Sequence, residues 1–493
     1  MNWPYQKPLS VISLCCICLL LSACFKDSVA KDNTITQEQI EKFNIIVNEY
    51  CDKNKQLFFG SIYVTSGESE VYKANCGPQN IQKEVQFNTS DSKYRIGSNT
   101  KAFTAAILLK MLAHEDLKTK TIGDYLPWYP NNECKKVSLH NLLSMSSGID
   151  DYSNNPEVFL NWGWRPYLGN ASLDLNGPEA FANGFCTCTE QGDKPSFTPG
   201  SKFTYSNCNY YLIGNIIEQI TAGKQGEIDP SYYFGNIVKE KILDTLSMHD
   251  SGTFNAIGIY ENMTNGYVYK ENPYLPCTTG RLPPTGGPAP YENIFLNPYS
   301  NPLVLYSAGD MYSTVKDMHK WDQGLYGDKI LNAEQKERAF APYQRTENKN
   351  ECEYFGYGWF VTYINPSEYG MVADCPDNLT DFDNRMKESD ELKKYEKFLQ
   401  YSGNYPYSWV TSFSRLLERD QSVMVFSNYN KVGYESDCIA EEIRNIIFYN
   451  DEHRSEQCQQ ILDNGEALKK KVESVRKLNW KECRDTTSEW QGD

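Results

Sequence analysis

At 493 residues the chain is long enough to bury one large core or two ordinary ones, so the disulfide or metal staples that small scaffolds depend on are not required. A formal net charge of −16, with no basic stripe along the sequence, offers nothing to a phosphate backbone and excludes nucleic acid as a partner. Hydrophobic residues make up 40% of the chain and aromatic ones 13%, with 35 tyrosines among them, which excludes a disordered polymer.

In chain order, Lys7 precedes the apolar segment VISLCCICLLL, too short to span a bilayer comfortably and therefore read as an export signal. It ends in Leu21-Ser22-Ala23-Cys24, which resembles a lipobox. That reading makes residues 1–24 a lipoprotein signal and Cys24 the site of lipid attachment, anchoring the chain to a membrane on the periplasmic side of a cell envelope. Cleavage after Ala30, giving a secreted protein, is the alternative. Of 16 cysteines, Cys15, Cys16, Cys18 and Cys24 belong to the signal and leave an even number behind. Their scattered spacing lacks the paired CxxC units of zinc sites and suits structural disulfides in an oxidising compartment. Cys51 with Cys76 and Cys458 with Cys483 would each close a local unit.

From Gln37 to Lys53, Ile40, Phe43, Ile46 and Val47 fall on one helical face. LFFGSIYVTS and EVYKANCG follow as a hairpin turning at Gly67. Residues 95–112 read RIGSNTKAFTAAILLKML, apolar almost all round from Ala102 to Leu109, as a helix buried inside the protein should be. The middle, roughly 115–350, is helix and loop, with KKVSLHNLLSMSSGI and YYLIGNIIEQITAG as its clearest helical units. Strands return in GYGWFVTYI, YSWVTSFSRLL and SVMVFSNYN, before the helix SDCIAEEIRNIIF. The charged stretch 376–399 is expected to be an exposed insertion, and residues 451–493 a charged helical extension. A hairpin at the start and strands at the end predict an α+β fold. In it one antiparallel sheet is built from both chain ends (36–97 and 350–450), flanked by helices, with a mostly helical lobe (about 115–350) inserted and a cleft between.

Ser98 and Lys101 stand three apart, so a helix brings their side chains to one face. The spacing alone is weak, since Ser90/Lys93, Ser313/Lys316 and Ser474/Lys477 repeat it. The bland reading is a capping serine and a lysine that snorkels to solvent. Against it, Lys101 is the only charge between Arg95 and Lys110, in a run that wants burial throughout. Burial disfavours a charged ammonium, so such a lysine is suited to take a proton from the Ser98 hydroxyl and make it a nucleophile. A helix amino terminus adds N–H groups that favour developing negative charge. Five histidines and no G-x-S-x-G elbow give a histidine-based triad no support.

Ser98-x-x-Lys101, LLSMSSGI, FTPGSKFTYSN, SAGDMYSTVKDMHKW and GYGW, in that order, resemble the serine β-lactamase and penicillin-binding-protein superfamily, its class C and esterase-like branch above all, over residues 36–450. The resemblance implies that Tyr205 works with Lys101 on proton transfer and that Asn207 orients a substrate amide or ester. It further implies that the backbone N–H groups of Ser98 and Asn404 form an oxyanion hole. The third motif, Lys-Thr-Gly or His-x-Gly in the family, is matched by Tyr401-Ser402-Gly403, which places these three at the substrate but without the usual cation. Met145 stands where LLSMSSGI usually has His, a position of chiefly structural role. The implied activity is that of a serine hydrolase acting through an acyl-enzyme on a small-molecule or peptide substrate, an ester or a D-amino-acid-type amide. No metal or organic cofactor is implied. The alternatives are a β-lactamase or D,D-carboxypeptidase, and a catalytically silent envelope binding protein with the same fold. Oligomeric state stays open.

Overall fold

Alternation along the first and last strands dictates that the sheet is covered on both faces. In Gly60–Ser66, Ile62 and Val64 enter one hydrophobic core and Tyr63 the other; in Gln421–Ser427, Val423 and Val425 are divided in the same way from Met424 and Phe426. The computed structural model describes residues 33–463 apart from 82–85, 156–157, 159–177, 190–193, 224–232, 255–259, 270–290, 292–293, 297–301, 349–351, 367–394, 406–407 and 432. The lipobox cysteine Cys24, the alternative cleavage point after Ala30, and Cys483 lie outside the described residues.

The main sheet has eight strands in the spatial order Gln344–Arg345, Cys352–Phe355, Phe360–Ile364, Glu396–Tyr405, Trp409–Leu416, Gln421–Ser427, Gly60–Ser66 and Ser69–Cys76. Every neighbouring pair is antiparallel, and the two chain ends meet where Gly60–Ser66 pairs with Gln421–Ser427. This is the α+β architecture expected from the sequence. One face is covered by the helices Gln37–Tyr50, Glu435–Tyr449 and Glu456–Asp463, whose Phe43, Ile46, Ile443, Ile446 and Ile461 pack on Ile62, Val64, Val423 and Val425. The first of these helices starts at Thr36 through a capping box with Gln39.

The other face carries the inserted helices. Thr100–Met111 is buried on all sides from Thr100 to Leu109, as its unbroken apolar run requires, and its neighbours include Asn207–Ala222, Pro302–Gly309 and Val315–Tyr326. Phe103 stacks on Trp321 with ring centroids 4.0 Å apart.

Two expectations are corrected. The stretch 376–399 is not wholly an insertion: the strand Glu396–Tyr405 begins inside it, with Phe398 and Leu399 buried, because a charged start does not prevent a strand whose later residues alternate between two cores. Cys458 pairs with Cys438 rather than with Cys483, since the helices Glu435–Tyr449 and Glu456–Asp463 fold back on each other and bring those two sulfurs together. Cys51–Cys76 forms as anticipated, and Cys134–Cys188 and Cys186–Cys208 tie the inserted region.

Glu218, on the buried side of Asn207–Ala222, accepts a hydrogen bond from the Phe234 N–H at 2.8 Å, and desolvation lifts its carboxyl pKa to about 7. The folded protein therefore holds this proton to higher pH than the unfolded chain does. The stability that the neutral acid contributes is complete below the ordinary glutamate range and is lost as pH rises through about 7. Glu218→Gln should remove this slope: relative to wild type, the variant gains on the order of 3 kcal/mol between about pH 4.5 and 8 in denaturant titrations. A constant difference across that range would exclude Glu218 as the source.

Candidate active site

Ser98 lies in a single 3₁₀ turn, Gly97–Asn99, that runs directly into Thr100–Met111. Gly97 adopts φ +50°, a left-handed conformation natural to glycine, and a Cβ there would come within 2.9 Å of the Asn404 backbone. The turn is held by short polar contacts: Thr100 Oγ1 donates to Gly97 O at 2.7 Å, Asn99 Nδ2 donates to Thr411 Oγ1 at 2.9 Å, and Thr411 Oγ1 donates to Ile96 O at 3.1 Å. Close behind, the guanidinium of Arg95 pairs with Asp310 in the core and lies between the rings of Phe254 and Tyr405, 3.9 and 3.6 Å from their centroids. This pair ties the segment after Pro302–Gly309 to the strand leading into the turn.

Lys101 is fully buried, and its Nζ reaches three acceptors: Ser98 Oγ at 3.0 Å, Asn207 Oδ1 at 2.8 Å and Ala308 O at 2.7 Å. These are one for each N–H of an ammonium, the arrangement that makes a buried lysine tolerable. The Nζ also lies 5.0 Å from the centroid of the Tyr205 ring. Tyr205 Oη donates to Ser98 Oγ at 2.8 Å. One hydroxyl thus sits between an amine and a phenol, each within reach of its proton.

Asn207 is the first residue of Asn207–Ala222, and both ends of its amide are engaged, Oδ1 by Lys101 and Nδ2 by the carboxylate of Asp151 at 3.1 and 3.3 Å. Met145 has φ 55° and is buried; its sulfur accepts from Ser206 N–H and Asn209 Nδ2, so it braces the segment that delivers Tyr205 and Asn207.

The strand Glu396–Tyr405 supplies the fourth wall. Tyr401 is buried, with its Oη 3.3 Å from Tyr205 Oη and its ring edge-on to Phe355 and Phe360. Burial and the neighbouring hydroxyls of Tyr205 and Tyr210 push its phenol well above the ordinary tyrosine range, so it stays neutral. Gly403 passes so close to the turn that a Cβ would lie 1.9 Å from Ile96 O. Asn404 therefore brings its backbone alongside Gly97, the residue before Ser98. Ser402 is not part of this cluster. Strand alternation turns its hydroxyl to the opposite face, where it donates to Asp437 at 2.5 Å. No group of His, Cys, Asp and Glu suited to hold a metal ion occurs among the described residues.

Ser98, Lys101, Tyr205, Asn207 and Tyr401 therefore converge, from a turn, two helix starts and one strand. Residues 53–437 match the family described as Beta-lactamase. The chain belongs to the beta-lactamase family.

Its relatives include penicillin-binding protein 4* of Bacillus subtilis, 24% identical over 328 residues, an alignment that takes in 65% of this chain and 62% of that protein's length. The octameric penicillin-binding protein homologue of Pyrococcus abyssi superimposes with a TM-score of 0.58 at 21% identity, over 83% of this chain and 77% of that one. A D-stereospecific amidohydrolase from Streptomyces superimposes with a TM-score of 0.56 at 17% identity, over 82% of this chain and 98% of that one. The superpositions bear on the beta-lactamase-family fold. Three groups at the site escaped the sequence reading: Asp151, the Ala308 carbonyl and Arg95. Ala308 sits within the quoted block SAGDM and Asp151 two residues beyond SSGI, and that proximity was the available signal.

Proposed function

We propose that this beta-lactamase-family protein is a serine hydrolase that forms an acyl-enzyme on Ser98. The observation that carries the reading is the placement of Ser98 Oγ 3.0 Å from a fully buried Lys101 Nζ and 2.8 Å from Tyr205 Oη. In this reading the reactive form carries one proton fewer on the Tyr205–Lys101 pair than an ammonium beside a neutral phenol, so that as Ser98 Oγ attacks the substrate carbonyl its proton passes to that pair. The same pair returns the proton to the departing alcohol or amine, and water then releases the acyl group by the reverse steps. The backbone N–H groups of Ser98 and Asn404 are the proposed donors to the carbonyl oxygen, supported by the approach of Asn404 to the turn at Gly97.

A neutral, buried Tyr401 supplies no charge with which to grip a substrate carboxylate. This favours esters and D-amino-acid-type amides over penicillins and D,D-peptides ending in a free carboxylate. The similarity to a D-stereospecific amidohydrolase supports the same substrate class. Disulfides at Cys51–Cys76, Cys134–Cys188, Cys186–Cys208 and Cys438–Cys458 support a location outside the reducing cytoplasm, and we propose export with a lipid anchor at Cys24.

The test is to treat the purified protein with a fluorophosphonate probe, locate the adduct by peptide mass spectrometry, and compare turnover of short-chain chromogenic esters, D-amino-acid amides and a chromogenic penicillin-type substrate. An adduct on Ser98 with ester or amide turnover is expected. No adduct and no turnover would favour the silent binding protein, and penicillin turnover exceeding that of the neutral substrates would contradict the role given to Tyr401.

A further inference from the structure

Asn207 presents a carbonyl oxygen to Lys101 and an amino group to Asp151, and a side-chain amide can keep only one such polarity at a time. Turned over, it would set its amino group against the Lys101 Nζ and its oxygen against the Asp151 carboxylate, a mismatch at both ends. Lys101 alone could enforce the observed orientation only at the expense of its own position, because the lysine side chain is the flexible partner. Asp151 is anchored independently: it lies just ahead of the short turn Tyr152–Asn154, where its Oδ1 accepts from the Ser153 N–H at 3.0 Å. The chain of contacts therefore runs from a fixed carboxylate, through an amide, to a buried amine whose third direction is Ser98 Oγ.

We infer that Asp151 is a positioning residue that sets the polarity of the Asn207 amide and through it holds Lys101 on Ser98. The inference rests on the reading of Ser98, Lys101 and Tyr205 as catalytic. It assigns Asp151 no contact with substrate and no proton transfer.

A four-protein cycle tests it: wild type, Asp151→Asn, Asn207→Asp, and the double exchange, each measured for the rate of fluorophosphonate labelling and for melting temperature. In Asp151→Asn the new amide keeps its oxygen on Ser153 N–H and turns its amino group toward that of Asn207, donor against donor. Labelling should slow by about 10- to 100-fold as Lys101 loses its place. In Asn207→Asp two carboxylates face each other, with a comparable loss. In the double exchange the carboxylate at 207 accepts from Lys101 with one oxygen and from the amide at 151 with the other, and labelling should recover by about tenfold over either single exchange. A purely structural role would make the two losses add. Additive losses, or an Asp151→Asn protein that labels as fast as wild type, would overturn the inference while leaving the hydrolase reading intact. Should wild type itself fail to label, the hydrolase reading falls and melting temperature decides the polarity. Each single exchange then lowers it by about 3 °C or more and the double restores it, whereas additive losses refute the polarity.

Discussion

Lys101→Met is expected to slow fluorophosphonate labelling of Ser98 by about 10³-fold or more while the protein stays folded, with Ser98→Ala setting the floor of the same assay. Methionine fills nearly the volume of the lysine stem inside a helix buried from Thr100 to Leu109, so no large cavity forms. What disappears is the amine that faces Ser98 Oγ, Asn207 Oδ1 and Ala308 O. Removing a buried charge is favourable in itself, whereas leaving the oxygens of Asn207 and Ala308 without a donor costs; these effects oppose, and the net change should stay within about 2 kcal/mol. Reactivity and stability thus separate in this variant. Labelling within tenfold of wild type would show that the lysine takes no part in moving the proton.

The second large effect is expected from a single methyl group. Gly403→Ala would place a Cβ 1.9 Å from Ile96 O, 2.6 Å from Thr411 Oγ1 and 2.8 Å from Asn99 Nδ2, and no rotamer can relieve the first of these because it joins two backbone-fixed atoms. The strand has to retreat from the turn, and the Asn404 backbone moves with it. Labelling should fall by about 10²-fold, with a loss of about 1–3 kcal/mol from the crowded turn. The adjacent Ser402→Ala is the control, because its hydroxyl serves Asp437 on the far face; it should label within about threefold of wild type. If both substitutions behave alike, the approach of this strand to Ser98 is not what positions Asn404.

The fold class was legible because its two strongest signals are local. A hairpin and late strands carry period-two alternation, and one helix is apolar on every side, which only a buried helix tolerates. Tyr205 and Tyr401, far from Ser98 in the chain, could be placed beside it only through the order of the sequence blocks. Their convergence is tertiary, made when a helix start and a strand close on the same turn. Asp151 stayed hidden for the same reason: nothing in a loop aspartate announces that an amide 56 residues later will donate to it. Cys458 misled because proximity in sequence favoured Cys483 no more than Cys438, and only the packing of two helices decides. Ser402 was avoidable, since alternation from Tyr401 already turns it away.

The seam between Gly60–Ser66 and Gln421–Ser427 binds the proposed enzyme's assembly to its direction of synthesis. The opening hairpin has no partner on one side until more than three hundred further residues have left the ribosome, so the sheet closes only after the inserted helices have been made. The strand that brings Gly403 to the turn belongs to that same late stretch. Nascent chains therefore carry Ser98 and Lys101 long before they carry the strand that sets Tyr401 and Gly403 beside them.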